Sequence, residues 1–93
     1  MAIEEAKELL RQINQWQLLQ INGIGIIEKK FKFKGFAEAM RFVNKVAAVA
    51  EAEGHHPDIK ISWNRVVLQL TTHAIKGLSE NDFIMAAKVD RLV

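Results

Sequence analysis

Residues 16–54, WQLLQINGIGIIEKKFKFKGFAEAMRFVNKVAAVAEAEG, decide the fold. Trp16 to Ile21 is a short apolar segment, and Asn22-Gly23 follows it. Both turn residues tolerate positive φ, which a two-residue hairpin between right-twisted strands requires. Ile24 to Lys34 then reads as the return strand, with Phe31 and Phe33 alternating against Lys30, Lys32 and Lys34. Those lysines are read as a solvated strand face rather than a nucleic-acid patch. Gly35 breaks the strand, and the apolar period lengthens to that of a helix. Phe36, Met40, Val43, Ala47 and Ala50 form one stripe, widened by Ala39, Phe42, Val46 and Val49. A long helix is therefore predicted over 36–53, with Gly54 placed to end it in a left-handed conformation.

Outward from this stretch the pattern continues in both directions. Ile3, Ala6, Leu10 and Ile13 recur at helical spacing among charged residues, predicting a first amphipathic helix that ends near Asn14. Downstream, Ile59 and Ile61 alternate over 58–62. Val66, Leu68 and Leu70 alternate with Val67, Gln69 and Thr71 over 65–72, and Trp63-Asn64 lies at the connection. A last helix starts at Ser79 and carries Phe83, Ala86, Ala87, Val89 and Asp90. The order is helix, strand, strand, helix, strand, strand, helix. Hairpins imply antiparallel pairing, so the expectation is an α+β, two-layer fold: a four-stranded antiparallel sheet with helices on one face.

The 93 residues suit a single domain spanning 1–93, with no linker or low-complexity segment. A formal charge of +2 is too small to argue for nucleic acid. No apolar run approaches the roughly 20 residues of a membrane span. Met1 to Leu10, with four charged residues, lacks a signal-peptide pattern, so a cytoplasmic location is expected. There is no cysteine, which excludes disulfides, thiolate metal sites and a cysteine nucleophile.

The candidate chemistry lies in the three histidines, His55, His56 and His73. Gly54 and Pro57 bracket the first two on a stiff bend, and Pro57 pushes His56 toward extended backbone. Adjacent extended residues point to opposite sides, so the pair is expected to divide its roles. A lone loop histidine is ordinarily an exposed residue without a task, and the bracketed pair leaves both readings open. A three-histidine zinc site is possible in principle, but adjacent ligands with diverging side chains suit it poorly. His73 shares the parity of Val67, Gln69 and Thr71, which predicts that it points to the open sheet face. Ser79-Glu80-Asn81-Asp82 reads as a capping box, with Ser79 as N-cap and Asp82 at the third helical position. An aspartate fixed there can also present an oxygen to a nearby site.

Phe31-Lys32-Phe33, Ala48-Val49-Ala50-Glu51, His55-His56-Pro57, Thr72-His73 and Gly77-Leu78-Ser79-Glu80-Asn81-Asp82 together resemble the pterin-4a-carbinolamine dehydratases. The resemblance runs from Trp16 onward. It implies conversion of 4a-hydroxytetrahydropterins to quinonoid dihydropterins and water, recycling the cofactor of aromatic amino-acid hydroxylases. It implies His55, His56, His73 and Asp82 as catalytic positions, with Glu51, His56, Thr72 and His73 contacting substrate. No cofactor and no metal are expected of the protein itself. Homodimers or homotetramers are implied. The animal members also serve as a dimerisation cofactor for a homeodomain transcription factor, so a non-enzymatic binding module or coactivator is the alternative. Two departures stand out: Trp63 replaces the family's usual tyrosine, and Ile59 replaces a tryptophan of the animal members.

The residue types suit the reaction. Loss of water from a carbinolamine needs a proton delivered to the leaving hydroxyl and one removed from the neighbouring ring nitrogen. Imidazoles, whose ordinary pKa is about 6.5, do both near neutrality. His55 and His73 are expected to move protons, His56 to position the pterin, and Glu51 or Asp82 to orient an imidazole.

Overall fold

In the computed structural model, which describes residues 1–93, Asn22 and Gly23 adopt φ values of 53° and 78°. They fold β1 (Gln17–Ile21) back on β2 (Ile24–Lys32), with Ile21 opposite Ile24 and Gln17 opposite Glu28. β3 (Asp58–Ser62) and β4 (Arg65–Leu70) form the second hairpin, whose turn residue Trp63 also has positive φ, 49°. That turn is tied to the first hairpin by Asn64, whose Nδ2 donates to the Phe33 carbonyl at 3.0 Å. The Phe33 N–H returns a bond to the Asn64 carbonyl at 2.8 Å. β2 pairs antiparallel with β4, so the four-stranded sheet has the order β1-β2-β4-β3.

The alternation read in the sequence sets the two faces. Val66, Leu68 and Leu70 are fully buried under the helices, whereas Val67 and Gln69 of the opposite parity are only half-buried. From β2 the inward set is Ile27, Lys29 and Phe31, while Lys30 and Lys32 stand in solvent as expected. α1 (Ile3–Leu10), α2 (Phe36–Glu53) and α3 (Glu80–Asp90) complete the two-layer α+β fold. α2 buries Ala39, Phe42, Val43, Val46 and Ala50. Its buried stripe is turned from the predicted one, since Phe36 and Ala47 are exposed. Phe42 instead meets Phe31 and Phe33, with ring centroids 4.7 and 5.0 Å away.

Three boundaries differ from the pattern, each for a local reason. α1 stops at Leu10, and the chain passes through a left-handed Gln15 before β1. β2 ends at Lys32, two residues before Lys34, where Phe33 turns to bond Asn64. β4 ends at Leu70 rather than Thr72. The Thr71 hydroxyl donates to the Gly25 carbonyl at 2.8 Å, and Thr72 pairs across a small loop with Gly77. No helix is long and apolar enough to cross a membrane.

Candidate active site

The end of α2 fixes the backbone of the histidine pair. Gly54 takes φ 63°, a conformation that costs a residue with a Cβ about 1–2 kcal/mol. The Gly54 N–H reaches the Glu51 carbonyl at 3.4 Å, and the His55 N–H reaches that of Ala50 at 3.1 Å. These are the two bonds of a Schellman ending, which satisfy helix carbonyls otherwise left without donors. His55 is thereby part of the helix terminus, and Pro57 then commits the chain to β3.

From that position His55 Nε2 lies 2.6 Å from Asp82 Oδ1. Asp82 sits three residues into the start of α3, where the Ser79 N–H donates to its Oδ2 at 2.9 Å, the returning half of the capping box. The Thr72 hydroxyl donates to the same Oδ2 at 2.9 Å and lies 2.7 Å from the Ser79 hydroxyl. Asp82 is 0% exposed, and the His55 side chain is 16% exposed. A buried carboxylate is costly unless donors surround it, and here Ser79, Thr72 and His55 supply them. An ionised carboxylate only accepts, so His55 Nε2 carries the hydrogen and Nδ1 is left for other partners.

His56 goes the other way, as the extended bend requires. Its Nε2 meets Glu51 Oε2 at 2.5 Å, with both side chains more than half exposed. So each adjacent imidazole has its own carboxylate, one buried and one in solvent. An exposed pair is screened and contributes little to stability.

His73 does not sit on the open sheet face. The parity argument needed β4 to continue to Thr72, but the Thr72–Gly77 pairing closes a loop instead. His73 opens a single 3₁₀ turn, His73–Ile75, and is exposed. Its link to the other site residues is Thr72, one peptide away, whose hydroxyl is on Asp82. Thr72 is implied by the resemblance as a substrate contact, and its hydroxyl hydrogen is engaged there. Ser79 was legible only as a cap, and the Thr72 hydroxyl beside it adds a second role. The larger surface grooves lie elsewhere: one of about 420 Å³ on the open sheet face near Lys30 and Gln69, another of about 600 Å³ beside Phe33 and Arg41.

A family model described as pterin 4 alpha carbinolamine dehydratase matches residues 1–92. The chain belongs to this family. A relative from Syntrophotalea carbinolica, named "Putative pterin-4-alpha-carbinolamine dehydratase", is 49% identical over 90 residues, covering 97% of this chain and 80% of its own. A crystal structure titled transcriptional coactivator/pterin dehydratase, from Brucella melitensis, superposes with a TM-score of 0.90 at 36% identity. It covers 99% of this chain and 96% of that one. A pterin dehydratase-like protein described as a RuBisCO assembly factor in the alpha-carboxysome matches with a TM-score of 0.72 at 26% identity, over 85% and 89% of the two chains. Within this pterin dehydratase fold, Trp63 stands 66% exposed at the β3–β4 turn and Ile59 37% exposed on β3. Neither side chain belongs to the packed core.

Proposed function

We propose that the protein dehydrates a 4a-hydroxytetrahydropterin to the quinonoid dihydropterin and water by histidine acid–base catalysis. The observation that carries this reading is the buried Asp82 carboxylate, holding His55 at 2.6 Å beside the turn that begins at His73. With its Nε2 hydrogen on Asp82, neutral His55 offers Nδ1 as a base for the ring-nitrogen proton. His73, exposed on the neighbouring turn, delivers a proton to the 4a-hydroxyl, and the C4a–O bond breaks as the ring C=N bond forms. His56, braced by Glu51, positions the pterin. Membership of the family supports the substrate class, and the residue types supply the two proton movements.

A stopped-flow assay of freshly generated 4a-hydroxytetrahydropterin tests this directly. The wild-type protein should accelerate its loss over buffer, and His73→Ala should lower kcat/KM by roughly 10²-fold, the low end for a general acid or base. No acceleration by the wild type would overturn the reading. Full activity of the alanine variant would remove His73 from the chemistry.

The coactivator and assembly-factor relatives favour a second reading, a binding module that works without turnover. Such a role would survive His55→Ala and His73→Ala together, which the enzymatic role would not. In either case the chain is inferred to form homodimers or homotetramers in the cytoplasm. The support for assembly is β3, an edge strand exposed at every residue, with Ile59 and Ile61 37% and 36% exposed on it and Trp63 66% exposed at the turn that follows. Unpaired apolar edges invite strand addition. Sedimentation equilibrium should give a mass of two or four chains, and a monomer at micromolar concentration would contradict it.

A further inference from the structure

We propose that Thr72, with Ser79 behind it, is a positioning residue that sets how tightly the His55–Asp82 pair holds its proton. The proposal deepens the dehydratase reading and rests on it for its kinetic consequence, but not for the coupling itself.

Hydrogen accounting gives the chain its direction. A threonine hydroxyl has one hydrogen. Thr72 places it on Asp82 Oδ2 at 2.9 Å, so the 2.7 Å contact between the two hydroxyls is donated by Ser79. The result is a directed run, Ser79 to Thr72 to Asp82, that meets His55 on the other carboxylate oxygen. Each donor in such a run polarises the next. Asp82 is 0% exposed, so bulk solvent does not replace a lost donor.

The consequence is a competition for one negative charge. The Thr72 hydroxyl and the Ser79 N–H stabilise the carboxylate whether or not the imidazole is protonated. What they take up is not available to hold the imidazolium, so Thr72 weakens the pair's grip on its proton. A base that must accept and then release a proton in each turnover benefits from a grip that is not too tight. The backbone of the same residue also anchors the His73 turn, because Thr72 exchanges both main-chain bonds with Gly77, at 2.9 and 3.4 Å.

The other charged groups on the elements that meet here have partners of their own or stand in solvent. From α2, Glu51 pairs with His56, and Glu53 pairs with Lys88 of α3 at 2.8 Å. On the turn and the start of α3, His73, Lys76 and Glu80 are exposed. Thr72 and Ser79 are therefore the groups able to tune the buried pair from close range.

The test is an NMR titration of the three histidines in full-length wild type, Thr72→Val, Thr72→Ser and Ser79→Ala. Thr72→Val keeps the shape and removes the donor. His55 should then release its proton at a pH higher by about half a unit or more, roughly a threefold change in proton affinity. The limb of the kcat/KM profile should move with it. Thr72→Ser should stay with the wild type, Ser79→Ala should shift less and in the same direction, and His56 should not move. An unchanged His55 midpoint in folded Thr72→Val, or an equal shift in Thr72→Ser, overturns the proposal. If the valine variant does not fold, Ser79→Ala decides: an upward shift supports the coupling and none overturns it. If the wild type proves inactive while His55 still shifts, the dehydratase reading falls and the coupling stands.

Discussion

Replacement of Asp82 by asparagine should lower kcat/KM for pterin dehydration by roughly 10²–10⁴-fold, the range a general acid–base group contributes. The amide is nearly isosteric, so the loss comes from hydrogen accounting. Asp82 Oδ2 accepts from the Ser79 N–H and the Thr72 hydroxyl, while Oδ1 faces His55 Nε2. If the asparagine NH₂ faces His55, Nε2 must become an acceptor. The ring then carries its hydrogen on Nδ1, the wrong tautomer for a base. If the carbonyl faces His55, the NH₂ meets two donors that have lost their acceptor. The second arrangement sets donors against donors around a side chain with no exposure, at a cost of about 1–3 kcal/mol of stability. Glu51→Gln is the contrast. That carboxylate is 77% exposed, so its loss should cost less than about tenfold. Stopped-flow kinetics with urea unfolding on both variants checks the pair of outcomes. A rate within threefold of wild type for Asp82→Asn would remove Asp82 from the mechanism.

What the sequence disclosed about this site, and what it hid, follows from the range of the interactions. Local signals were readable: the Asn22-Gly23 turn, the left-handed Gly54, and Ser79 with Asp82 as cap and third helical residue all depend on neighbours within a few positions. The inward parity of Val66, Leu68 and Leu70 was also readable, since one buried face imposes it along a strand. The end of β4 was not. Thr71 and Thr72 are β-branched, and the strand stops where Thr71 makes its long-range bond to Gly25 and Thr72 closes a short loop with Gly77. That error placed His73 on a sheet face, when it opens the 3₁₀ turn beyond the strand. His55 and Asp82 are 27 residues apart, so their contact lies beyond any periodicity. The family motif grouped these residues without saying which carboxylate holds which imidazole. The geometry separates them, giving His55 to Asp82 and His56 to Glu51.

Lys29 shows the same limit in the core, and it supports the largest expected effect on stability. Its parity with Ile27 and Phe31 places it under the helices, yet it sits among lysines that face solvent. Only 7% exposed, it donates from Nζ to Asp90 Oδ1 at 2.8 Å, 61 residues away. Asp90 is the last residue of α3, where a negative charge opposes the helix dipole. It is held there by what it accepts: the Lys29 ammonium, the Trp16 indole N–H at 3.1 and 3.2 Å, and the Asn14 N–H at 3.0 Å. One carboxylate thus ties the end of α3 to the chain leading into β1 and to β2. Asp90→Ala strands a buried ammonium and a buried indole N–H together, and should cost about 3–5 kcal/mol. For a domain of this size that lowers Tm by on the order of 15–30 °C. Asp90→Ala with Lys29→Met removes the unpaired charge, so the double variant should recover much of the loss although it restores no bond. Thermal and urea unfolding of the two variants measure both figures. A single variant within 1 kcal/mol of wild type would mean that water reaches Lys29, and the tie between α3 and the sheet would then rest on Val89 and its apolar neighbours alone.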